Sequence, residues 1–194
     1  MMGTTSVLGQ RLVRGDGLAK VTGEARYTAD LAFTGLLHAK FVYAGRAHAR
    51  IVSIDTSEAA RMPGVHAVVT QADAPMVHYG MFVKDRTLFA HDVVRFEAEI
   101  VAAVAADTAE HATAAAAAVR GEYEDLPPVL DVEAALNPSA PLLHPRWESY
   151  DTQDGVERGP NDCGYMTSVK GDVTAGFAEA ALELTETYCS DMGH

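Results

Sequence analysis

Short apolar runs alternate with polar breaks marked by glycine or proline, and the spacing predicts strands more often than helices. Residues 36–43 and 51–54 read as strands, and the second delivers Asp55 to a turn. Asp55 with Glu58 three positions on is a capping-box pattern that opens a short helix, which Pro63-Gly64 must end. Val65–Thr70 is a third strand, so strand, helix and strand follow within a span short enough for one compact α/β unit. Residues 71–92 carry Pro75 and Gly80 and read as loop, with a short strand at 81–83. Ile100–Ala106 is apolar without a break, which suits a central strand covered on both faces. Asp107 stops that run and, with Glu110, repeats the capping-box spacing, so Asp107 is the expected N-cap of the helix Ala109–Ala118. Alanine dominates this helix, which predicts close packing through small side chains. Glu122, Tyr123 and Glu124 suggest a strand before Leu126-Pro127-Pro128 ends regular structure. Pro, Gly, Asp and Ser then thicken into a surface excursion over 137–170, with Trp147 as its packing anchor. A short helix within 171–180 leads into an alternating strand at 182–188.

Size and composition limit what such elements can do. With 194 residues and 48% hydrophobic content the chain can bury a real core, and one domain over 1–194 is expected. No apolar run approaches the roughly 20 residues that span a bilayer, and the first residues lack a basic region followed by an apolar stretch. A cytoplasmic protein without a membrane partner is therefore expected. A formal charge of −12 disfavours nucleic acid, whose phosphates need a basic face. Cys163 and Cys189 are the two cysteines, too few and too far apart for a disulfide framework or a four-cysteine metal site, so any iron–sulfur cluster belongs to another chain.

The chain offers little catalytic chemistry of its own. It has no G-x-G-x-x-G after a strand, no Walker loop, no H-E-x-x-H and no G-x-S-x-G. Its eight histidines are dispersed, and no two stand at i and i+4. His48 sits between two alanines, where a ring packs at a tight turn as a structural residue. Glu122 and Glu124 face the same side of a strand and, with Asp125, read as a solvated or salt-bridged face that meets solvent or the basic N-terminal arm. No catalytic residue is assigned.

That arm carries the strongest signal. Gly9-Gln10-Arg11, Arg14-Gly15-Asp16-Gly17 and Lys20-Val21-Thr22-Gly23-Glu24-Ala25-Arg26-Tyr27 form a charged, glycine-punctuated run, with Ala25-Arg26-Tyr27 starting an alternation that suits a strand. It resembles the N-terminal signature of the molybdenum-cofactor subunit in the xanthine dehydrogenase, aldehyde oxidoreductase and carbon monoxide dehydrogenase family. Further blocks resemble that family in the same order: Arg46-Ala47-His48-Ala49-Arg50 through Asp55-Thr56-Ser57-Glu58-Ala59 with Met62-Pro63-Gly64-Val65, then Asp92-Val93-Val94-Arg95-Phe96, Glu122-Tyr123-Glu124-Asp125-Leu126-Pro127-Pro128, and Lys170-Gly171-Asp172-Val173.

The resemblance implies an α+β fold, the a/b hammerhead, in which short helices pack on a mixed sheet. It assigns residues 1–194 to that domain, with 1–35 as an arm and 137–170 as the excursion. The cofactor-binding domains are expected to lie outside this sequence, together with the family's catalytic glutamate. By the same resemblance the complete enzyme hydroxylates an aldehyde or aromatic heterocycle with water, or handles carbon monoxide. It uses a molybdopterin-type molybdenum cofactor held by a partner chain of molybdopterin-binding domains, and passes electrons to [2Fe-2S] clusters and FAD on other subunits. The alternative is a hammerhead that stands alone as an interaction or assembly module. Met192 and His194 are the cofactor-edge candidates: His194 matches a histidine of the family, and Met192 stands where a glutamine often approaches the metal oxo group. A thioether cannot donate the hydrogen bond that an amide can. Ala44-Gly45 and Glu97-Ala98 depart from the Ser-Pro and Val-Gly of many members.

Overall fold

The computed structural model describes residue 9 and residues 11–188. By internal contacts these divide into two compact units. One holds the residues up to Pro75 together with Phe89–Asp125, and the other holds Met76–Leu88 together with those from Leu126 onward.

The first unit is α+β, built on two three-stranded antiparallel sheets. The apolar run expected as a central strand is one: β5 (Ile100–Ala106) lies between β1 (His38–Tyr43) and β3 (Val65–Thr70). Both faces of β5 are covered, with Val101, Ala102, Val104 and Ala106 buried. The second sheet has β2 (Ala49–Asp55) at its centre, between β4 (Val93–Val94) and β6 (Arg120–Asp125). β2 and β3 thus fall in different sheets, and the helix expected between them is a single 3-10 turn, Ala59–Arg61. Asp55 accepts the Ser57 amide locally and Glu58 makes no side-chain cap, so no capping box forms; Pro63 then leaves no room for another turn.

α2 (Ala109–Ala118) packs against β1 and β5 through Ala112, Ala115 and Ala118, which repeat every third residue on one face. Small side chains let helix and sheet approach closely, and Ala115 and Ala118 share one cluster with Val104 and Ala59. A second cluster joins Ala44, Ala90, Val94 and Val101, and Val42 touches both. The cap of α2 corrects the sequence reading. Thr108, not Asp107, is the N-cap, its hydroxyl accepting the His111 amide at 3.1 Å. Asp107 is occupied elsewhere: the His111 ring donates to it through Nδ1 at 2.6 Å.

In the arm, α1 (Gly17–Thr22) ends on Gly23 at φ +78, and Thr28–Asp30 form a 3-10 turn where the alternation from Ala25 suggested a strand. The second unit is held by loops. Residues 76–88 double back through a Tyr79↔Arg86 bridge, and Val83 bridges to Thr152. α3 (Val132–Ala135) and α4 (Val173–Ala178) are short, and Asp131 and Asp172 cap them by accepting amides three residues on. Residues 182–188 belong to no strand among the described residues, against the alternation that predicted one.

Candidate functional site

β6 shows what its carboxylates are for. Register places Glu124 opposite Arg50 and Glu122 opposite Ser53. The Arg50 guanidinium donates to Glu124 at 3.1 Å, the Ser53 hydroxyl donates to Glu122 at 3.1 Å, and Arg46 lies 3.8 Å from Asp125. Glu122 and Glu124 are therefore paired across the strands with β2, and Asp125 with Arg46 just before it, rather than with the N-terminal arm. Two of the arm's four cations are paired within it: Asp16 takes both Arg14 and Lys20, which together hold its carboxyl below the usual range. His48 is buried.

Two carboxylates at opposite ends of β5 behave in opposite ways. Glu99, just before the strand, is pushed upward by burial, against the opposing pull of the Arg95 amide and guanidinium. Asp107, just after it, is held below the usual range by the bond from His111.

The densest polar arrangement lies in the second unit, where no motif pointed. Arg158 is almost wholly buried: its Nη2 donates to Asp85 at 3.2 Å, its Nε donates to the Asp162 carbonyl at 3.0 Å, and the guanidinium lies over the Tyr150 ring. Its Nη1 is buried without a hydrogen-bond partner. Tyr150 also meets the rings of His78 and His144, and its hydroxyl is 3.3 Å from His144 Nδ1. Trp147 opens a 3-10 turn beside them and is half-buried. The backbone completes the tie, with the Lys84 amide donating to Asp151 and the Gln153 amide donating to Phe82. Asn161 does the same for 135–143, donating to Ala135 and Pro141 and accepting from Leu143. A recess of about 620 Å³ opens beside the 76–88 turn, walled by Tyr79, Phe82, Asp85, Arg86 and Cys163.

Chemically this arrangement is a fastener. The charges are neutralised, the rings pack on one another, and no group of three or more His, Cys, Asp or Glu that could hold a metal ion occurs among the described residues. No helix among them is long and apolar enough to cross a membrane. Met192 and His194 lie outside the described residues.

Two antiparallel sheets bearing an alanine-rich helix agree with what sequence comparison finds. Residues 22–127 match the family described as aldehyde oxidase and xanthine dehydrogenase, a/b hammerhead domain. The chain belongs to this family. A probable xanthine dehydrogenase subunit of Bacillus subtilis (strain 168) is 38% identical over 177 residues, which are 91% of this chain and 22% of that one. The nicotinate dehydrogenase large molybdopterin subunit of Eubacterium barkeri is 32% identical over 94% of this chain and 40% of its own length. Among solved structures, reconstituted CO dehydrogenase from Oligotropha carboxidovorans superposes with a TM-score of 0.67 at 34% identity, over 73% of this chain and 18% of that one. Quinoline 2-oxidoreductase from Pseudomonas putida 86 gives 0.62 at 39% identity, over 68% and 18%. The hammerhead chain thus spans about a fifth of the Bacillus relative and of these two structures.

Proposed function

We propose that this hammerhead chain is part of a cytoplasmic molybdenum hydroxylase, in which it docks on the molybdopterin-binding domains and shapes the approach to their site. The complete enzyme, on this reading, hydroxylates an aldehyde or aromatic heterocycle with oxygen from water and passes electrons to iron–sulfur clusters and FAD on other subunits. The match of residues 22–127 to the hammerhead family carries the proposal. Two of the arm's four cations, Arg14 and Lys20, are engaged by Asp16, and Glu122 and Glu124 of β6 are bonded to β2, so neither group is offered to a cofactor. A docking role accords better with what is exposed. Met81, Phe82, Leu88, Met166, Phe177 and Leu184 are all exposed and give the second unit apolar side chains that a partner could cover. Met192 and His194 are proposed as the edge of the chain nearest the cofactor.

Native mass spectrometry of the purified protein tests this directly. It should show the chain bound to one that carries molybdopterin-binding domains, with molybdenum in the complex and none in stoichiometric amount on this chain expressed alone. A monodisperse monomer with no affinity for such a partner would sink the proposal in favour of the stand-alone module.

A further inference from the structure

Two Asp-Gly pairs occur in the chain, Asp16-Gly17 and Asp154-Gly155. In such a pair the glycine nitrogen can attack the side-chain carboxyl carbon of the aspartate before it, because a five-membered ring closes and no Cβ on the glycine crowds the nitrogen. The structure treats the two pairs in opposite ways.

At Asp16 both reacting groups are occupied. Arg14 and Lys20, the latter at 2.8 Å, hold the carboxylate in its charged form, which is a poor electrophile. The Gly17 amide donates to the Arg14 carbonyl at 3.1 Å where α1 begins. Asp154 and Gly155 instead form the exposed tip of a turn, closed by the Val156 amide donating to the Gln153 carbonyl at 3.1 Å. Among the described residues, neither the Gly155 amide nor the Asp154 carboxyl makes a hydrogen bond or an ion pair. A Cβ built on Gly155, which has φ +81, would have only the Met166 methyl within reach, at 3.9 Å. The turn is anchored on either side of this tip. Thr152 bridges to Val83, the Gln153 amide donates to Phe82, and Arg158 holds Asp85.

We infer that Asp154 is a site of spontaneous isomerisation to isoaspartate. The Gly155 nitrogen attacks Cγ of the protonated Asp154 side chain, an N–C bond forms, and the carboxyl hydroxyl leaves with the N–H proton as water. A water molecule then opens the ring. Attack at Cγ restores aspartate, whereas attack at the main-chain carbonyl carbon of Asp154 breaks its bond to nitrogen and leaves the chain running through Cβ and Cγ. Water is the only co-reactant, and nothing is oxidised or reduced. The product carries an extra methylene in the main chain between Thr152 and Arg158, the two points by which this loop holds residues 76–88. Isomerisation therefore slackens that tie. The inference is independent of the docking proposed above.

Peptide mapping of the purified protein, incubated folded at about pH 5, where an ordinary aspartate is still partly protonated, tests this. Trypsin separates the two pairs into peptides 15–20 and 147–158. The isoaspartyl form of 147–158 has the mass of its parent but elutes apart from it, and electron-transfer fragmentation places the extra backbone carbon at 154 rather than at Asp151. The folded protein should accumulate about tenfold more isomer at 154 than at 16, where the bonds to Asp16 and Gly17 must first break. In urea the two rates should converge. Asp154→Glu, which would have to close a larger ring, should abolish the isomer in 147–158. A folded protein that forms no isomer at 154, or that forms it equally fast at 16, would overturn the inference. So would an isomer in 147–158 that survives Asp154→Glu.

Discussion

The β5–α2 layer and the loops around Arg158 reach order by different physical routes. In the layer, small apolar side chains close the gap between helix and sheet: Ala112, Ala115 and Ala118 face strands whose own interior residues are valine and alanine. Order there comes from uniform contact, and no single residue dominates. Around Arg158 there is little apolar interior, and a few polar fasteners do the holding. Arg158 binds Asp85, Tyr150 and the Asp162 carbonyl, and Asn161 reaches three backbone groups. A layer of the first kind tolerates the loss of a surface bond, whereas a fastener of the second kind fails as a unit.

The largest expected effect follows from that contrast. Arg158→Met should strand Asp85, whose side chain is only 22% exposed, and cost about 3 kcal/mol. The loss should appear as faster hydrogen exchange over 76–88 and 151–165. Lys84→Met breaks an exposed pair with Asp151 and should cost no more than about 0.5 kcal/mol. Equal effects from the two variants would show that burial of Arg158 does not hold these loops. Next in size is Gly64→Ala. Gly64 has φ +77, and a Cβ there would collide with His111 Nδ1 and Asp107 Oδ1. A loss of about 2 kcal/mol is expected in denaturant melts. A neutral result would mean that the turn before β3 can open without disturbing the start of α2.

How much of this could be read from the sequence divides along the same line. β5 and α2 were legible because an unbroken apolar run and an alanine tract are local signals, and hammerhead membership was legible from ordered blocks along the chain. The cap was misplaced by one residue because Asp107 and Thr108 are both competent caps, and only the ring of His111, four residues on, decides between them. That i, i+4 spacing was a readable clue. The 3-10 turn at Ala59–Arg61 was overestimated as a helix because the spacing from Asp55 to Glu58 fits a capping box, yet Asp55 commits its oxygen to Ser57. Arg158 and Asp85 stand 73 residues apart, and nothing local joins them. Residues 182–188 were expected as a strand from their alternation, but they belong to no strand among the described residues, because an alternation defines faces and does not supply a partner strand.

Capping gives a smaller effect that sharpens the account of the first region. Thr108→Ala removes the acceptor for the His111 amide and should cost about 1 kcal/mol in urea melts. Asp107→Ala should cost less, because it removes an exposed side-chain pair and leaves the cap in place. The reverse order would return the cap to Asp107.

The smallest effect is a matter of sign, and it sets the two ends of β5 against each other. Burial raises Glu99, so the folded chain holds that proton more tightly than the unfolded chain does. Its favourable contribution is complete below the pKa of an unfolded glutamate and is lost as pH rises through the raised folded value. His111 lowers Asp107, so the contribution of that group is complete above the pKa of an unfolded aspartate and is lost as pH falls through the lowered folded value. Glu99→Gln should therefore flatten the fall in stability on the alkaline side of the carboxylate range, and Asp107→Asn should flatten the fall on the acid side. Urea melts stepped from about pH 2 to 7 follow both changes. A Glu99→Gln profile that runs parallel to wild type through the upper window would mean that the folded chain solvates this carboxylate as well as water does, and the asymmetry between the two ends of the strand would disappear.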